Sequence, residues 1–271
     1  MSSQPTTPPA SLVVTLPVGD AELDCQLLGT LVPGQPALVL LHEGLGSIGL
    51  WRDFPMRLAA ATGVAALVYS RQGNGRSSPI RRPREPDYMH AEAREVLPAV
   101  LQAFGINNPL LVGHSDGASI ALIHAGSFPG VACGVVAIAP HLFVELLSVE
   151  SIRAAKVAYE STDLRARLAR HHENVDGTFY GWNDIWLRPD FRAWNIEHIV
   201  ARISCPLLAI QGENDEYGTM LQIDRLAELV RGTCLERLSA CGHSPHRDQP
   251  ERLIEACQAF IRSVLKGGLP A

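Results

Sequence analysis

Residues 109–127 read Pro-Leu-Leu-Val-Gly-His-Ser-Asp-Gly-Ala-Ser-Ile-Ala-Leu-Ile-His-Ala-Gly-Ser. Leu110–Val112 is a short apolar run leading into Gly113, as a buried strand would, and Ala118–Ser127 reads as a helix. Between them Gly113-His114-Ser115-Asp116-Gly117 fits G-x-S-x-G, a strand-to-helix turn that lifts a serine hydroxyl above a sheet edge. Glycines flank the serine where side chains would clash. The N–H groups opening the next helix point into the same space, where the helix dipole favours negative charge. A glycine-rich turn of no chemical consequence can match the pattern by chance. The strand before it and the helix after it favour the reading of Ser115 as a nucleophile.

Outward from this turn, short apolar runs alternate with helical spacing. Ser11–Val18 and Glu22–Leu28 alternate around the hairpin signal Gly19-Asp20. Ala37–Leu41 and Val64–Tyr69 are continuous apolar strands, as expected for strands covered on both faces. Trp51–Thr62 has helical spacing, as does Ala91–Phe104, where Pro98 should kink or break the helix. Downstream, Val131–Ala139, Pro206–Gln211 and Cys234–Leu238 read as strands, and Thr219–Arg231 and Glu251–Lys266 as helices. The expectation is an α/β fold: a mostly parallel eight-stranded sheet flanked by helices. The alternation fails between His141 and His198, a stretch rich in charge, Trp and Tyr that reads as several short helices. The expected organisation is a disordered tail over 1–10, a core over 11–140 and 199–271, and a helical lid over 141–198.

Composition bounds what such a fold can do. A chain of 271 residues can bury about 70–75% of its unfolded surface, enough for an enclosed pocket. A net charge of −5 lacks the basic excess of a nucleic-acid binder. The Ser-, Thr- and Pro-rich start, Met1 to Ala10, lacks the charged and apolar regions of a secretory signal, and no apolar run approaches membrane-spanning length. The six cysteines form no CxxC pair, which suggests neither a redox dithiol nor a zinc site. A cytoplasmic enzyme with no metal and no cofactor is the expectation.

A serine hydroxyl needs a base to take its proton. In the G-x-S-x-G setting the partners follow in the order Ser, Asp or Glu, His. Asp215 stands just past one strand, in Gly212-Glu213-Asn214-Asp215, and His243 just past the next, in Cys241-Gly242-His243-Ser244-Pro245. Both positions are at carboxyl ends of strands, where open α/β sheets bind ligands. His114, His171, His172 and His246 compete for the base, and Glu213 and Glu216 for the acid. For the oxyanion, backbone N–H groups of Asp116 and Gly44 are the candidates, with Glu43 beside them in His42-Glu43-Gly44-Leu45-Gly46-Ser47. Two acids flanking an anion site are awkward. Either the Glu43 and Asp116 side chains point away, with Asp116 stabilised at the helix start, or one of them orients a water or a polar substrate group.

The segments HEGLGSIGLW, YSRQGNGRS, GHSDG, GENDEYG and CGHSPHRDQP together resemble α/β-hydrolase fold enzymes over residues 38–265, most of all capped bacterial members that cleave esters, lactones or carbon–carbon bonds of ring-cleavage products. The resemblance implies Ser115 as nucleophile, Asp215 as acid, His243 as base and the His42–Gly46 loop as oxyanion region. Two departures stand out: Glu43 occupies a position where the family usually has glycine, and Gly117 is followed by Ala118 where a second glycine is common. A serine nucleophile disfavours the epoxide hydrolase and haloalkane dehalogenase branches. Trp182, Trp186 and Trp194, with Phe179, Tyr180 and Phe191, suit either glue for a lid or an apolar wall for an acyl or aromatic substrate. His42, Leu45, Trp182, Trp186 and Tyr217 are the expected pocket residues. Arg71, Arg76, Arg81, Arg82 and Arg84 read as a solvated loop, or alternatively as a grip on an anionic substrate tail. The reaction expected is acyl transfer from a carboxylic ester or lactone, an acyl-homoserine lactone among them. Carbon–carbon bond hydrolysis, a cofactor-free oxygenase or perhydrolase, and a ligand receptor on the same scaffold are the alternatives.

Overall fold

In a computed structural model, which describes residues 10–267, eight strands form one sheet. They are β1 Ser11–Val18, β2 Ala21–Leu28, β3 Ala37–Leu41, β4 Ala66–Tyr69, β5 Pro109–His114, β6 Gly134–Ile138, β7 Leu207–Gly212 and β8 Cys234–Leu238. Their spatial order is β1-β2-β4-β3-β5-β6-β7-β8. β1 pairs antiparallel with β2, and β2 antiparallel with β4; every pair from β4 to β8 is parallel. The expected tail over 1–10 lies outside the described residues except for exposed Ala10.

The central strands are apolar throughout because helices cover both faces. In β3 alternate side chains point to opposite faces. Leu38 and Leu40 join a core with Trp51, with Phe54 and Leu58 of α1 (Phe54–Thr62), and with Leu253 and Phe260 of α11 (Pro250–Leu265). Ala37, Val39 and Leu41 join the larger core on the other face. The remaining helices are α2 Tyr88–Ala91, α3 Leu97–Ala103, α4 Asp116–Ser127, α5 Leu146–Ser161, α6 Leu164–Leu168, α7 Val175–Leu187, α8 Glu197–Val200, α9 Leu221–Leu229 and α10 Pro245–Asp248.

Several boundaries differ from expectation, two of them for evident local reasons. The stretch from Trp51 splits into a 3₁₀ turn, Ile48–Trp51, and α1, because Arg52 takes a positive φ of 55° between them. Pro98 neither ends nor breaks its helix: a π-helical turn, Glu92–Val96, joins α2 to α3 and places Pro98 at the start of α3. The wider turn relieves the missing N–H and the ring clash that proline imposes on an α-helix. β4 and β6 are shorter than their apolar runs, 66–69 and 134–138.

Between β6 and β7 the chain leaves the sheet and forms α5 to α8. The two ends of this excursion meet, with Phe143 bridged to Asn195 and the Ile196 N–H donating to Leu142 O at 2.8 Å. Its aromatic residues Phe179, Trp182, Trp186, Phe191 and Trp194 are continuous with the larger core.

Candidate active site

Ser115 sits between β5 and α4 with φ 53° and ψ −120°. A non-glycine residue holds such a backbone at a cost of about 1–3 kcal/mol. Its surroundings enforce it: Ser115 N–H donates to Ile138 O at 2.9 Å, and Ser115 O accepts from Ala118 and Ser119 N–H at 2.8 and 3.0 Å. The flanking glycines answer to close packing. A Cβ on Gly113 would lie 2.5 Å from Ala118 Cα, and one on Gly117 would lie 2.6 Å from His42 O.

His243, in the loop after β8, places Nε2 2.9 Å from Ser115 Oγ. Its Nδ1 lies 2.8 and 3.0 Å from the two carboxylate oxygens of Asp215, in the loop after β7. A carboxylate accepts only, so the proton belongs on Nδ1 and the Nε2 lone pair faces the serine hydroxyl. The Asp215 carboxylate also accepts from Tyr217 N–H at 2.8 Å, Gly218 N–H at 3.2 Å and Gln211 Nε2 at 3.2 Å. Burial would raise its pKa, but the His243 hydrogen bond and charge outweigh burial and hold it below the ordinary carboxylate value. Burial likewise opposes charge on His243, and Asp215 outweighs it, leaving the imidazole more basic than usual.

The competing side chains go elsewhere. His246 packs against Trp51 and His114, with centroids 5.3 and 5.2 Å apart. His172 is a strut: its Nδ1 accepts from Gly75 N–H and its Nε2 donates to Leu45 O, both at 2.9 Å. Glu213 is exposed, and Glu216 accepts the His243 backbone N–H at 3.1 Å.

The His42–Gly46 loop is tied down carbonyl by carbonyl. The Arg71 guanidinium donates to His42 O and, at 3.0 Å, to Glu43 O. Asn74 Nδ2 donates to Gly44 O at 3.1 Å and Gly46 O at 2.9 Å. Arg71 is 1% exposed, so the reading of the whole arginine run as a solvated loop fails at its first member, while Arg76, Arg81 and Arg82 are exposed. Arg84 is half-buried over the Tyr88 ring. His42 is a second correction. It is fully buried and is not among the residues that line the cavity at Ser115; its Nδ1 meets Glu43 O at 2.6 Å and its Nε2 accepts from Arg71 N–H at 3.0 Å.

The Asp116 side chain points away from the site, whereas Glu43 is half-buried at the wall of the cavity that holds Ser115. Asp116, 1% exposed, accepts from Tyr88 Oη at 2.6 Å and from Trp186 Nε1 at 3.3 Å, joining the elbow to α2 and α7. Glu43 turns toward His114, with 3.4 Å between Oε2 and Nδ1. Among the described residues, neither Gly44 N–H nor Asp116 N–H has a protein partner.

Ser115 opens into a cavity of about 230 Å³ whose walls include the expected Leu45, Trp182, Trp186 and Tyr217, together with Glu43 and Gly44 of the oxyanion loop. Leu50, Ile152, Leu164 and Leu168 complete its apolar side, and Arg247 and Glu216 lie at the wall as well. His141 also lines it, 2% exposed, with its pKa lowered to about 4 by burial and by the nearby His243. The helical aliphatic residues and His141 carry no motif of their own. Arg71 stands two residues past the apolar run that ends at Tyr69 and His141 two past the run that ends at Ala139, the one signal that both were near the ligand-binding edge. Among the described residues no cluster of His, Cys, Asp and Glu is arranged to hold a metal ion, and no helix is long and apolar enough to cross a membrane.

Serine hydrolase BPHL of Homo sapiens is 24% identical over 84% of this chain and 80% of its own length. 2-Succinyl-6-hydroxy-2,4-cyclohexadiene-1-carboxylate synthase of Salmonella typhimurium is 25% identical over 85% of this chain and 95% of its own. A carboxylesterase structure from Nitrososphaera gargenis superposes with a TM-score of 0.76 at 18% identity, covering 94% of this chain and all of that one. The model of the alpha/beta hydrolase family matches residues 38–256, from the third strand into the last helix, and on that span this chain belongs to the alpha/beta hydrolase family of enzymes.

Proposed function

We propose that this enzyme is a serine hydrolase of small carboxylic esters or lactones. The observation that carries the reading is the unbroken chain Asp215–His243–Ser115, with 2.8 and 2.9 Å links, at the wall of a cavity rich in aromatic and aliphatic side chains. Ser115 Oγ attacks the carbonyl as His243 Nε2 takes its proton. Asp215 keeps the proton on Nδ1 and stabilises the imidazolium that forms. The alkoxide leaves with the proton from His243. Water, deprotonated by the same nitrogen, then releases the acid from Ser115.

The negative oxygen of each tetrahedral intermediate needs donors already aimed at it. In a trans peptide the C=O and N–H point opposite ways. Binding the His42 and Glu43 carbonyls to Arg71 therefore turns the N–H groups of Glu43 and Gly44 away from that buried guanidinium. The free Gly44 N–H, with Asp116 N–H at the start of α4, supplies the hole. Removing such a donor costs about 10²–10³ in rate.

A cavity of about 230 Å³ is small beside the ~300–1,000 Å³ of pockets that enclose drug-sized ligands. That favours short acyl groups. The test is a fluorophosphonate probe together with p-nitrophenyl acetate, butyrate and palmitate and a panel of lactones. Labelling of wild type but not Ser115→Ala is expected, with acetate or butyrate turned over at least about tenfold better than palmitate in kcat/KM. Labelling without turnover of any ester or lactone would move the reading to carbon–carbon bond hydrolysis. No labelling, with tight small-molecule binding, would make it a receptor; oxygen consumption with an aromatic substrate would make it an oxygenase.

A further inference from the structure

His114, next to the nucleophile, takes no part in the relay and is wholly buried. Its Nε2 lies 2.7 Å from the backbone carbonyl of His243. A carbonyl only accepts, so that nitrogen carries a proton. Its Nδ1 has no hydrogen bond, and the nearest acidic atom is Glu43 Oε2 at 3.4 Å. With the Nε2 proton in place, a neutral ring would turn the Nδ1 lone pair toward a carboxylate. Two acceptors would then face each other at 3.4 Å, with His114 fully buried and the Glu43 side chain 17% exposed at the cavity wall, an arrangement that costs free energy wherever water reaches only one of the two partners. One proton between them replaces that repulsion with an ion pair.

The neighbours do not provide the missing proton. The other ionisable groups facing Glu43 are His42, His172, His243 and His246. His42 and His172 each accept a backbone N–H on one ring nitrogen and meet a carbonyl with the other, which makes both rings neutral. His246 is pushed down to about 3, chiefly by burial. His243 is committed to Asp215 and Ser115. Only His114 stands at ion-pair distance from the Glu43 carboxylate among the described residues.

We propose that Glu43 and His114 form a carboxylate–imidazolium pair, and that this pair positions His243 through a charge-assisted hydrogen bond to its backbone carbonyl. The pair links the loop after β3 to the loop after β8 beneath the nucleophile. His243 is then held on both sides of its peptide, by His114 at the carbonyl and by Glu216 at the N–H. Glu43 and His114 touch no reacting atom; both are positioning residues. Without the Glu43 carboxylate, the bond from His114 to the His243 carbonyl would lose its charge assistance and weaken.

The first test needs no variant. In protein labelled with ¹⁵N-histidine, long-range ¹H–¹⁵N correlation under the conditions of the kinetic assay should show both ring nitrogens of His114 protonated. In Glu43→Gln the side-chain amide can donate to Nδ1, so the fold should survive while that nitrogen loses its proton. The kcat for p-nitrophenyl acetate should then fall about tenfold, the worth of one charge-assisted hydrogen bond, with KM unchanged. An unprotonated Nδ1 in wild type under those conditions overturns the pair. Loss of the proton in Glu43→Gln with an unchanged kcat overturns its positioning role. The kinetic arm rests on His243 being the base, whereas the spectroscopic arm does not, so failure of Ser115 labelling and failure of the pair are read separately.

Discussion

Alanine at Gly44 would place a methyl group against the Trp182 indole, 2.9 Å from Cγ and closer still to Cδ1 and Nε1. Carbon atoms pack comfortably at about 3.5–4.0 Å, so something must yield by roughly 1 Å or more. The loop and the ring are not equally able to move. The carbonyls of residues 42 to 46 are bonded to Arg71, Asn74 and His172. Trp182 is held by packing, with Phe179 and Tyr217 rings 6.1 and 6.5 Å away. The ring should therefore give way, and with it the wall of the cavity. Overpacking of this kind costs about 1–3 kcal/mol. Expressed at a binding wall, that is about a 5- to 150-fold rise in KM, with kcat near wild type. If the loop moved instead, the Gly44 N–H would leave the oxyanion and kcat would fall by about 10²–10³. Steady-state kinetics with p-nitrophenyl butyrate separates the two. The double variant Gly44→Ala/Trp182→Leu should show the KM of Trp182→Leu alone, because the clash is gone. An unchanged KM in Gly44→Ala, or a collapse in kcat that Trp182→Leu does not relieve, would refute the claim that the loop is the stiffer partner.

Asp215→Asn should lower kcat by about 10⁴, because an amide no longer enforces the proton on Nδ1; single-turnover measurement with a p-nitrophenyl ester would check it. The pH profile of kcat/KM follows from the raised pKa of His243. The base works unprotonated, so activity should fall as pH drops through a value above that of an ordinary histidine, and the same limb should move to lower pH in Asp215→Asn. Tyr88→Phe removes the 2.6 Å bond to the buried Asp116 carboxylate and leaves Trp186 as its remaining side-chain donor. We expect about 1–3 kcal/mol of destabilisation in urea unfolding; a stability equal to wild type would mean that Asp116 is solvated in solution.

Much of this molecule could be read from the chain because the relevant physics is local. A strand buried on both faces must be apolar throughout, and a turn that presents a serine between a strand and a helix needs glycines around it. Asp215 and His243 stood out because each closes a strand and the two follow Ser115 in order. Even the misread Pro98 was a local problem with two local solutions, and the π turn is the one the chain takes. Residue type and spacing say nothing, by contrast, about which loops meet at the carboxyl edge of the sheet. His114 and the His243 carbonyl are 129 residues apart, and His172 and Leu45 are 127 apart. Arg71 looks like surface charge until the fold seals it beneath the carbonyls of His42 and Glu43. His42 looks like a pocket residue until both its nitrogens are used to brace the loop. The chain determined the sheet, the elbow and the order of the relay. The tertiary structure decided what each buried charge faces, because a group taken out of water must find its partner wherever packing brings one, and for Glu43 packing brings His114.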